Sequence, residues 1–294
     1  MPYIQSEKNT GKPVNIYYED AGQGQPVVLI HGWPVDHNMW EYQLNELPKH
    51  GIRVISYDRR GFGMSDKPWG EYDYTTLAND LKALLEQLDL NDVVLAGFSM
   101  GGGEVARYCS LYNSERVSKV ILISAVTPYM LKTDTNPDGV EKEMFDQMLM
   151  QLQEDRPAFL ATFGKQFFGV NLMNHPVSDE ILNWMQSLAL CGSSKATIEC
   201  LKAFSSTDFR DDVQSINIPT LIIHGDSDKT VPIDTAGKQS AALIKNSIFK
   251  IYEGAPHGLF ITEKEQLNND LIDFITGTNV SEYAVDEKDE AHVF

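Results

Sequence analysis

The stretch Gly97-Phe98-Ser99-Met100-Gly101 reads G-x-S-x-G, and its surroundings give this pattern a structural meaning. An apolar, β-type run at residues 92–96 precedes it, and a helix-compatible run at residues 102–108 follows. A serine on a sharp turn from strand to helix is exposed at the carboxyl edge of a sheet. Side chains at positions 97 and 101 would collide with the backbone of such a turn, which glycine avoids. The stretch predicts Ser99 as a nucleophile, against the alternative of a serine that only shapes the turn.

Strand-like and helix-like segments alternate along most of the chain. Candidate strands lie at residues 15–19, 27–31, 53–57, 93–96, 119–123, 220–224 and 249–252. Residues 75–88 and 266–276 instead carry leucine and isoleucine at helical spacing. The alternation predicts the α/β class, with a mostly parallel twisted sheet flanked by helices on both faces.

The alternation stops between residues 128 and 214, which read as helical and are rich in methionine and phenylalanine. We interpret this stretch as a helical cap over the carboxyl edge of the sheet, lining a cavity above Ser99. The predicted organisation is a core in two parts, residues 1–127 and 215–280, interrupted by the cap at 128–214. Residues 281–294 are predicted to form an acidic C-terminal tail.

The composition of the chain indicates which partners and which cellular location to expect. The 294 residues carry a formal net charge of −18, which disfavours nucleic acid and anionic membranes as partners. The three cysteines, Cys109, Cys191 and Cys200, have no C-x-x-C spacing and predict a reducing, cytoplasmic location. The first residues do not read as a secretion signal, and no apolar run is long enough to predict a membrane helix. The sequence is compatible with a homo-oligomer but does not establish one.

A serine hydroxyl becomes a good nucleophile only when a base takes its proton. Among the seven histidines, His257 lies in a loop directly after the candidate strand at 249–252. That strand ends at the sheet edge that also carries Ser99. We predict His257 as the base, against the alternative of a histidine that only shapes its loop.

The imidazole needs a carboxylate to fix its tautomer and to stabilise its charged form. The loop after residues 220–224 offers two carboxylates, Asp226 and Asp228. Asp226 lies in the turn itself, where aspartates commonly accept hydrogen bonds from backbone amides, whereas Asp228 extends further toward the site. We predict Asp228 as the acid and keep Asp226 as the alternative. The chain order Ser99, Asp228, His257 is typical of α/β-hydrolases.

Acyl transfer passes through an oxyanion, which each preorganised N–H donor stabilises by about 3 kcal/mol. The Met100 amide follows the nucleophile directly, at the start of the predicted helix. The loop His31-Gly32-Trp33-Pro34 follows another strand, and since Pro34 has no N–H, the Trp33 amide is the second candidate donor. We interpret His31 as a structural residue that holds this loop by hydrogen bonds.

The loop at residues 57–65 contains G-x-G without the remaining spacing of a dinucleotide-binding fingerprint. We interpret Asp58, Arg59 and Arg60 in this loop as a structural ion network that pins neighbouring strands. The sequence shows no spacing typical of metal ligands, so we expect neither a metal nor a cofactor.

Together these motifs resemble one family. The loops at 27–34 and 57–65, the run G-F-S-M-G-G-G-E at 97–104 and Pro256-His257-Gly258 are similar to the cofactor-free bacterial haloperoxidases. These proteins, also called perhydrolases or arylesterases, belong to the α/β-hydrolase superfamily. The match covers residues 14–274 and does not extend to the tail. The resemblance implies Ser99 as nucleophile, Asp228 as acid, His257 as base, and Trp33 and Met100 as oxyanion donors.

The family hydrolyses small carboxylic esters, and it makes peracids from a carboxylic acid and hydrogen peroxide. The peracids then oxidise halides without haem, vanadium or flavin. The resemblance therefore implies a serine esterase with perhydrolase activity, with an ester, or an acid plus peroxide, as its small-molecule partners. A C–C bond hydrolase or lactonase with the same triad, and a noncatalytic ligand-binding relative, are the alternatives. Ser99 argues against haloalkane dehalogenases and epoxide hydrolases, which carry aspartate at this position.

Overall fold

A mostly parallel sheet forms the centre of the molecule. The structure, a computed structural model, describes residues 2–6 and 11–277. Its eight strands within the described residues are β1 (Tyr3–Ser6), β2 (Val14–Ala21), β3 (Gln25–Ile30), β4 (Ile52–Tyr57), β5 (Val93–Phe98), β6 (Val117–Ile123), β7 (Thr220–Gly225) and β8 (Ser247–Tyr252). They lie in the order β1-β2-β4-β3-β5-β6-β7-β8. Strand β2 pairs antiparallel with β1 and β4, and the other neighbours pair parallel. The predicted α/β class is confirmed.

Strand β1 was not among the predicted strands. Its four residues, Tyr-Ile-Gln-Ser, are too few to show the alternation of apolar and polar side chains on which strand prediction depends. It lies at the edge of the sheet and pairs only with β2. Short edge strands are therefore the part of a sheet that sequence patterns reveal least.

The central strands are buried on both faces. In β3, Val28 and Ile30 belong to one hydrophobic core, whereas Val27 and Leu29 belong to a second core on the other side. Successive side chains of a strand point to opposite faces, so a strand with two covered faces must be apolar at every position. This explains why the central strands read as continuous apolar runs.

Helices cover both faces of the sheet. Within the described residues they are α1 (Glu41–Glu46), α2 (Tyr74–Gln87), α3 (Met100–Leu111), α4 (Lys142–Phe167), α5 (Asp179–Cys191), α6 (Ser194–Ser206), α7 (Arg210–Gln214), α8 (Gly237–Leu243), α9 (Leu259–Thr262) and α10 (Lys264–Thr276). The helices expected at residues 75–88 and 266–276 correspond to α2 and α10. The Asp73 side chain starts α2 by accepting a hydrogen bond from the Thr76 amide at 3.0 Å.

The four helices α4 to α7 lie between β6 and β7. Helix α4 is kinked at Asp155, whose φ of −149° and ψ of 84° are not helical. Pro157 follows the kink, and the Asp155 carboxylate accepts from the Ala158 amide at 3.0 Å, so it caps the second half of α4. The division into a two-part core and a cap at 128–214 stays a prediction, and the predicted tail at 281–294 lies outside the described residues.

The parallel strands bring the predicted site to one edge of the sheet. Ile30 at the end of β3 lies opposite Gly97 in β5, and Gly225 at the end of β7 lies opposite Tyr252 in β8. The loops that follow these four strands carry Trp33, Ser99, Asp228 and His257. They therefore meet at the same, carboxyl, edge. Across the described residues, we find no helix both long and apolar enough to span a membrane.

Candidate active site

Ser99 lies on a strained turn between β5 and α3. Its backbone has a φ of 52° and a ψ of −117°, a conformation that side-chain-bearing residues rarely adopt. A Cβ at position 97 would lie 2.5 Å from the Gly101 carbonyl oxygen, and one at position 101 would lie 2.5 Å from that of Ile30. Both positions thus require glycine, and the tight turn places the Ser99 hydroxyl at the sheet edge, where the residue is largely buried.

The side chains of Ser99, His257 and Asp228 form a hydrogen-bonded chain. The His257 Nδ1 atom lies 2.6 Å from Asp228 Oδ2, and His257 Nε2 lies 2.9 Å from Ser99 Oγ. Because a carboxylate can only accept, Nδ1–H is the donor to Asp228, and Nε2 is free to accept the serine proton. The structure brings together the three residues that the sequence singled out.

Asp228 is buried and held as a carboxylate. Its Oδ1 atom accepts from the amides of Thr230 and Val231 at 2.9 and 2.8 Å. Burial raises its pKa, but the charge of His257 and the hydrogen bonds of His224 and His257 outweigh burial, so the net pKa lies well below the usual value. Asp228 therefore stays ionised and can stabilise a protonated His257.

Asp226 has other partners. Its Oδ1 atom accepts from the Gly254 amide at 2.7 Å and from the Ser227 hydroxyl at 3.2 Å. These contacts tie the loop after β7 to the loop after β8, as expected of an aspartate in a turn. Of the two aspartates that the sequence left open, only Asp228 contacts His257 among the described residues.

The two candidate oxyanion donors flank Ser99. Met100 is the first residue of α3, and neither its N–H nor that of Trp33 donates a hydrogen bond to any residue in the described ranges 2–6 and 11–277. A Cβ at position 32 would lie 2.7 Å from the Phe98 ring and 3.3 Å from Ser99 Cβ, so the loop after β3 packs directly against the nucleophile. Two unpaired amides beside one hydroxyl make a suitable place for a developing negative charge.

A cavity of about 200 Å³ opens onto Ser99 and His257. Its apolar walls come from the loop after β3 and from helices α4 and α6, and include Trp33, Met144, Phe145, Met148, Phe159, Phe163 and Phe204. Phe98 and Phe167 both pack against the imidazole, each with its ring centroid 4.8 Å from that of His257. The cavity suits a small substrate with an apolar part, and the aromatic packing shields the imidazole from water.

The loop at residues 57–65 carries a buried ion network, as predicted. The guanidinium of Arg59 pairs with Glu104 at 2.9 Å, and that of Arg60 pairs with Asp80 at 2.6 Å. Asp58 accepts from His37 at 2.6 Å. The sequence did not point to Glu104 and Asp80 as partners, although a buried arginine has to find a carboxylate. Both carboxylates lie inside predicted helices. The one sequence signal that could have identified them as partners is the occurrence of an acidic residue on the apolar face of a helix.

One arrangement departs from the sequence prediction that metal-binding clusters are absent. Asp36, His37 and Asp58 lie with ligand atoms within 4.8 Å of one another and could hold a metal ion. One oxygen of each carboxylate already accepts a hydrogen bond, Asp36 from Asn38 at 3.0 Å and Asp58 from His37 at 2.6 Å. We therefore interpret the cluster as part of the polar network of this loop.

The chain belongs to the α/β-hydrolase fold family, whose model matches residues 25–264. Within that family it is 42% identical to a non-heme chloroperoxidase of Kitasatospora aureofaciens, over 89% of this chain and 96% of the relative. It is 41% identical to a bifunctional esterase/perhydrolase of Acinetobacter calcoaceticus, also over 89% and 96%. The crystal structure of a bromoperoxidase from Bacillus anthracis matches with a TM-score of 0.89 and 46% identity, over 93% and 99% of the two chains. The resemblance to the non-heme haloperoxidases is confirmed.

Proposed function

We propose that the protein is a serine esterase for small carboxylic esters that also makes peracids from a carboxylic acid and hydrogen peroxide. The observation that carries the proposal is the chain of hydrogen bonds from Asp228 through His257 to Ser99, at the base of a small apolar cavity. The relatives that are named esterase/perhydrolase and non-heme chloroperoxidase support both activities.

In the first half-reaction, Ser99 Oγ attacks the ester carbonyl carbon while its proton passes to His257 Nε2. The carbonyl oxygen becomes an oxyanion, which the amides of Trp33 and Met100 stabilise. His257 then returns the proton to the departing alcohol as the C–O bond breaks. The product is an acyl group on Ser99, and Asp228 stabilises the imidazolium in between.

In the second half-reaction, His257 takes a proton from the next nucleophile, which attacks the acyl carbon. Water releases a carboxylic acid, whereas hydrogen peroxide releases a peracid, and in both cases Ser99 recovers its proton. The peracid can then oxidise bromide in solution. When the acyl donor is a free carboxylic acid, its hydroxyl leaves as water in place of the alcohol. One acyl-enzyme therefore accounts for both activities.

The test is Ser99→Ala, with p-nitrophenyl acetate hydrolysis and peroxide-dependent bromination in acetate as the two assays. We expect both rates to fall at least about 100-fold, because a triad without its nucleophile loses far more than that. Phenylmethylsulfonyl fluoride, which caps the serine, should remove both activities from the wild-type protein. A chelator should leave bromination intact.

The matched control is Ser124→Ala. Ser124 follows the neighbouring strand β6, is buried, and has a hydroxyl without a hydrogen-bond partner among the described residues. This variant should keep both activities. Hydrolysis by folded Ser99→Ala above about one hundredth of the wild-type rate would contradict the proposal. Hydrolysis without any peracid would remove only the perhydrolase part.

A further inference from the structure

His31 is a fully buried histidine that takes no part in the proposed proton transfers. It lies directly after β3, and the backbone N–H of Arg59 points at its Nε2 atom over 2.9 Å. A backbone N–H can only donate, so Nε2 must be the acceptor and carry no proton. The proton of the neutral ring therefore resides on Nδ1.

The Nδ1 atom of His31 lies 2.8 Å from the Gly32 carbonyl oxygen, to which it donates. The Arg59 Nη1 atom lies farther from Nδ1, at 3.3 Å, and the Arg59 guanidinium makes its shorter hydrogen bonds to the His31 carbonyl oxygen and to Glu104. That carbonyl and the Trp33 N–H belong to the same peptide group. Because a peptide group is planar and rigid, holding its oxygen also fixes the direction of its N–H. The neutral ring of His31 thus controls where the Trp33 amide points.

We propose that His31 is a positioning residue that aims the Trp33 amide at the oxyanion formed beside Ser99. The inference rests on the proposed function, since it needs acyl transfer at Ser99. The close approach of Gly32 to Ser99 Cβ places this peptide group next to the reacting centre. A donor that is fixed before the reaction costs no reorganisation when negative charge develops.

Arg59 and Glu104 extend this arrangement to the second donor. The Arg59 guanidinium donates to the His31 carbonyl oxygen at 2.8 Å and to Glu104 at 2.9 Å. Glu104 lies in α3, one turn after Met100. A single buried ion pair therefore connects the loop that carries the Trp33 amide to the helix that carries the Met100 amide. Buried pairs of this kind are best suited to fixing one arrangement of two elements.

The surroundings of His31 favour its neutral form. Burial lowers the pKa of His31 well below the usual value, and the charge of Arg59 lowers it further. A proton on Nε2 would also face the Arg59 backbone N–H. The hydrogen bond from Nδ1 to Gly32 is therefore retained under the conditions in which the triad is active.

The kinetic test compares His31→Leu with His31→Asn in hydrolysis of p-nitrophenyl acetate. His31→Leu removes the donor to Gly32, and we expect kcat to fall about 10- to 100-fold with KM within about twofold, since loss of a whole oxyanion donor costs about 10²–10³. Asparagine can donate to Gly32 from its amide nitrogen. The decrease in log kcat for His31→Asn should therefore be at most half of the decrease for His31→Leu. The acidic limb of the pH–rate profile, which reports the triad, should stay in place.

The matched control is His37→Gln. His37 is also buried and bonds to Asp58 in the loop at residues 57–65, but its side chain forms no hydrogen bond with Gly32 or Trp33 in the described structure. This variant should lose thermal stability and keep kcat. If His31→Leu and His31→Asn were equally slow, or if the pH profile moved, His31 would act through general packing or the triad instead, and the proposal would be overturned.

A second measurement uses the wild-type protein, so it does not depend on whether a variant folds. Nitrogen NMR of histidine-labelled protein distinguishes a protonated from an unprotonated ring nitrogen, with His31→Asn serving to assign the signal. We expect His31 to be protonated on Nδ1 and unprotonated on Nε2. The opposite tautomer would overturn the proposal, while the effect of Ser99→Ala would still test the proposed function separately.

Discussion

Asp226 and Asp228 stand two residues apart in the loop after β7, yet their carboxylates have different partners. Asp228 accepts from His257 Nδ1 and from two backbone amides, whereas Asp226 accepts from the Gly254 amide across the neighbouring loop. At the scale of single residues, the chemistry thus depends on which carboxylate reaches the imidazole. The other aspartate holds the loops that make this contact possible.

We predict that Asp228→Asn lowers kcat for p-nitrophenyl acetate about 10³- to 10⁴-fold, because an amide no longer fixes the His257 tautomer that can accept the serine proton. Asp226→Asn should stay within about threefold of wild type, because its oxygen can still accept from Gly254. Steady-state kinetics on samples matched for folded fraction by circular dichroism compare the two variants. A silent but folded Asp226→Asn would reverse the assignment.

At the scale of elements, the elbow requires α3 to approach the end of β3 closely. Gly101 is where the two backbones meet, since a Cβ at that position would lie 2.5 Å from the Ile30 carbonyl oxygen. A rigid carbonyl cannot move aside as the end of a flexible side chain could. The glycines of the G-x-S-x-G pattern are therefore needed for packing between elements, in addition to the turn itself.

We predict that Gly101→Ala lowers the free energy of unfolding by about 1–3 kcal/mol, as expected when a methyl group is forced into a packed core. It should also reduce kcat, because α3 carries the Met100 amide. Gly164→Ala in α4 is the control: nothing lies within 4 Å of its added Cβ, so alanine should stabilise the helix by up to about 1 kcal/mol. Denaturant unfolding and kinetics on both variants measure the effects. Equal stability of the two variants would show that the approach to β3 is not tight.

At the scale of the whole molecule, the net charge of the protein and the residues that line its cavity affect a charged substrate differently. The net charge of −18 repels anions, and a carboxylic acid is an anion at neutral pH. The cavity itself is lined by no aspartate or glutamate in the described part of the chain, and Lys229 stands among its lining residues. The net negative charge therefore repels a carboxylate substrate, whereas Lys229 in the cavity attracts it. A neutral ester experiences neither effect.

We predict that raising the ionic strength from 10 to 200 mM lowers KM for acetate in the perhydrolysis assay by about two- to threefold, because salt screens long-range repulsion. KM for neutral p-nitrophenyl acetate should not change. The comparison needs only the wild-type protein, with bromide and peroxide held constant and sodium sulfate as the added salt. The same response for both substrates would point to an effect of salt on the protein instead of on the approach of the anion.

The sequence by itself determined strands β2 to β8, helices α2 and α10, and the order of the candidate site residues. Continuous apolar runs marked the buried strands, and the glycines around Ser99 marked the elbow. The loop positions of Asp228 and His257 followed from parallel topology, because every parallel strand delivers its following loop to the same edge. These features depend on residues that are close in the sequence or on a repeating pattern, so they can be predicted without the tertiary structure.

Only the tertiary structure decided which distant groups meet. Arg59 pairs with Glu104 and Arg60 pairs with Asp80 across 45 and 20 positions of the chain. The sequence could not identify these pairs, since any buried carboxylate would satisfy a buried guanidinium equally well. The tautomer of His31 is also set by a contact between residues that are distant in the sequence. It depends on one backbone N–H that reaches the ring from a different strand's loop, and that contact exists only once β3 and β4 lie side by side.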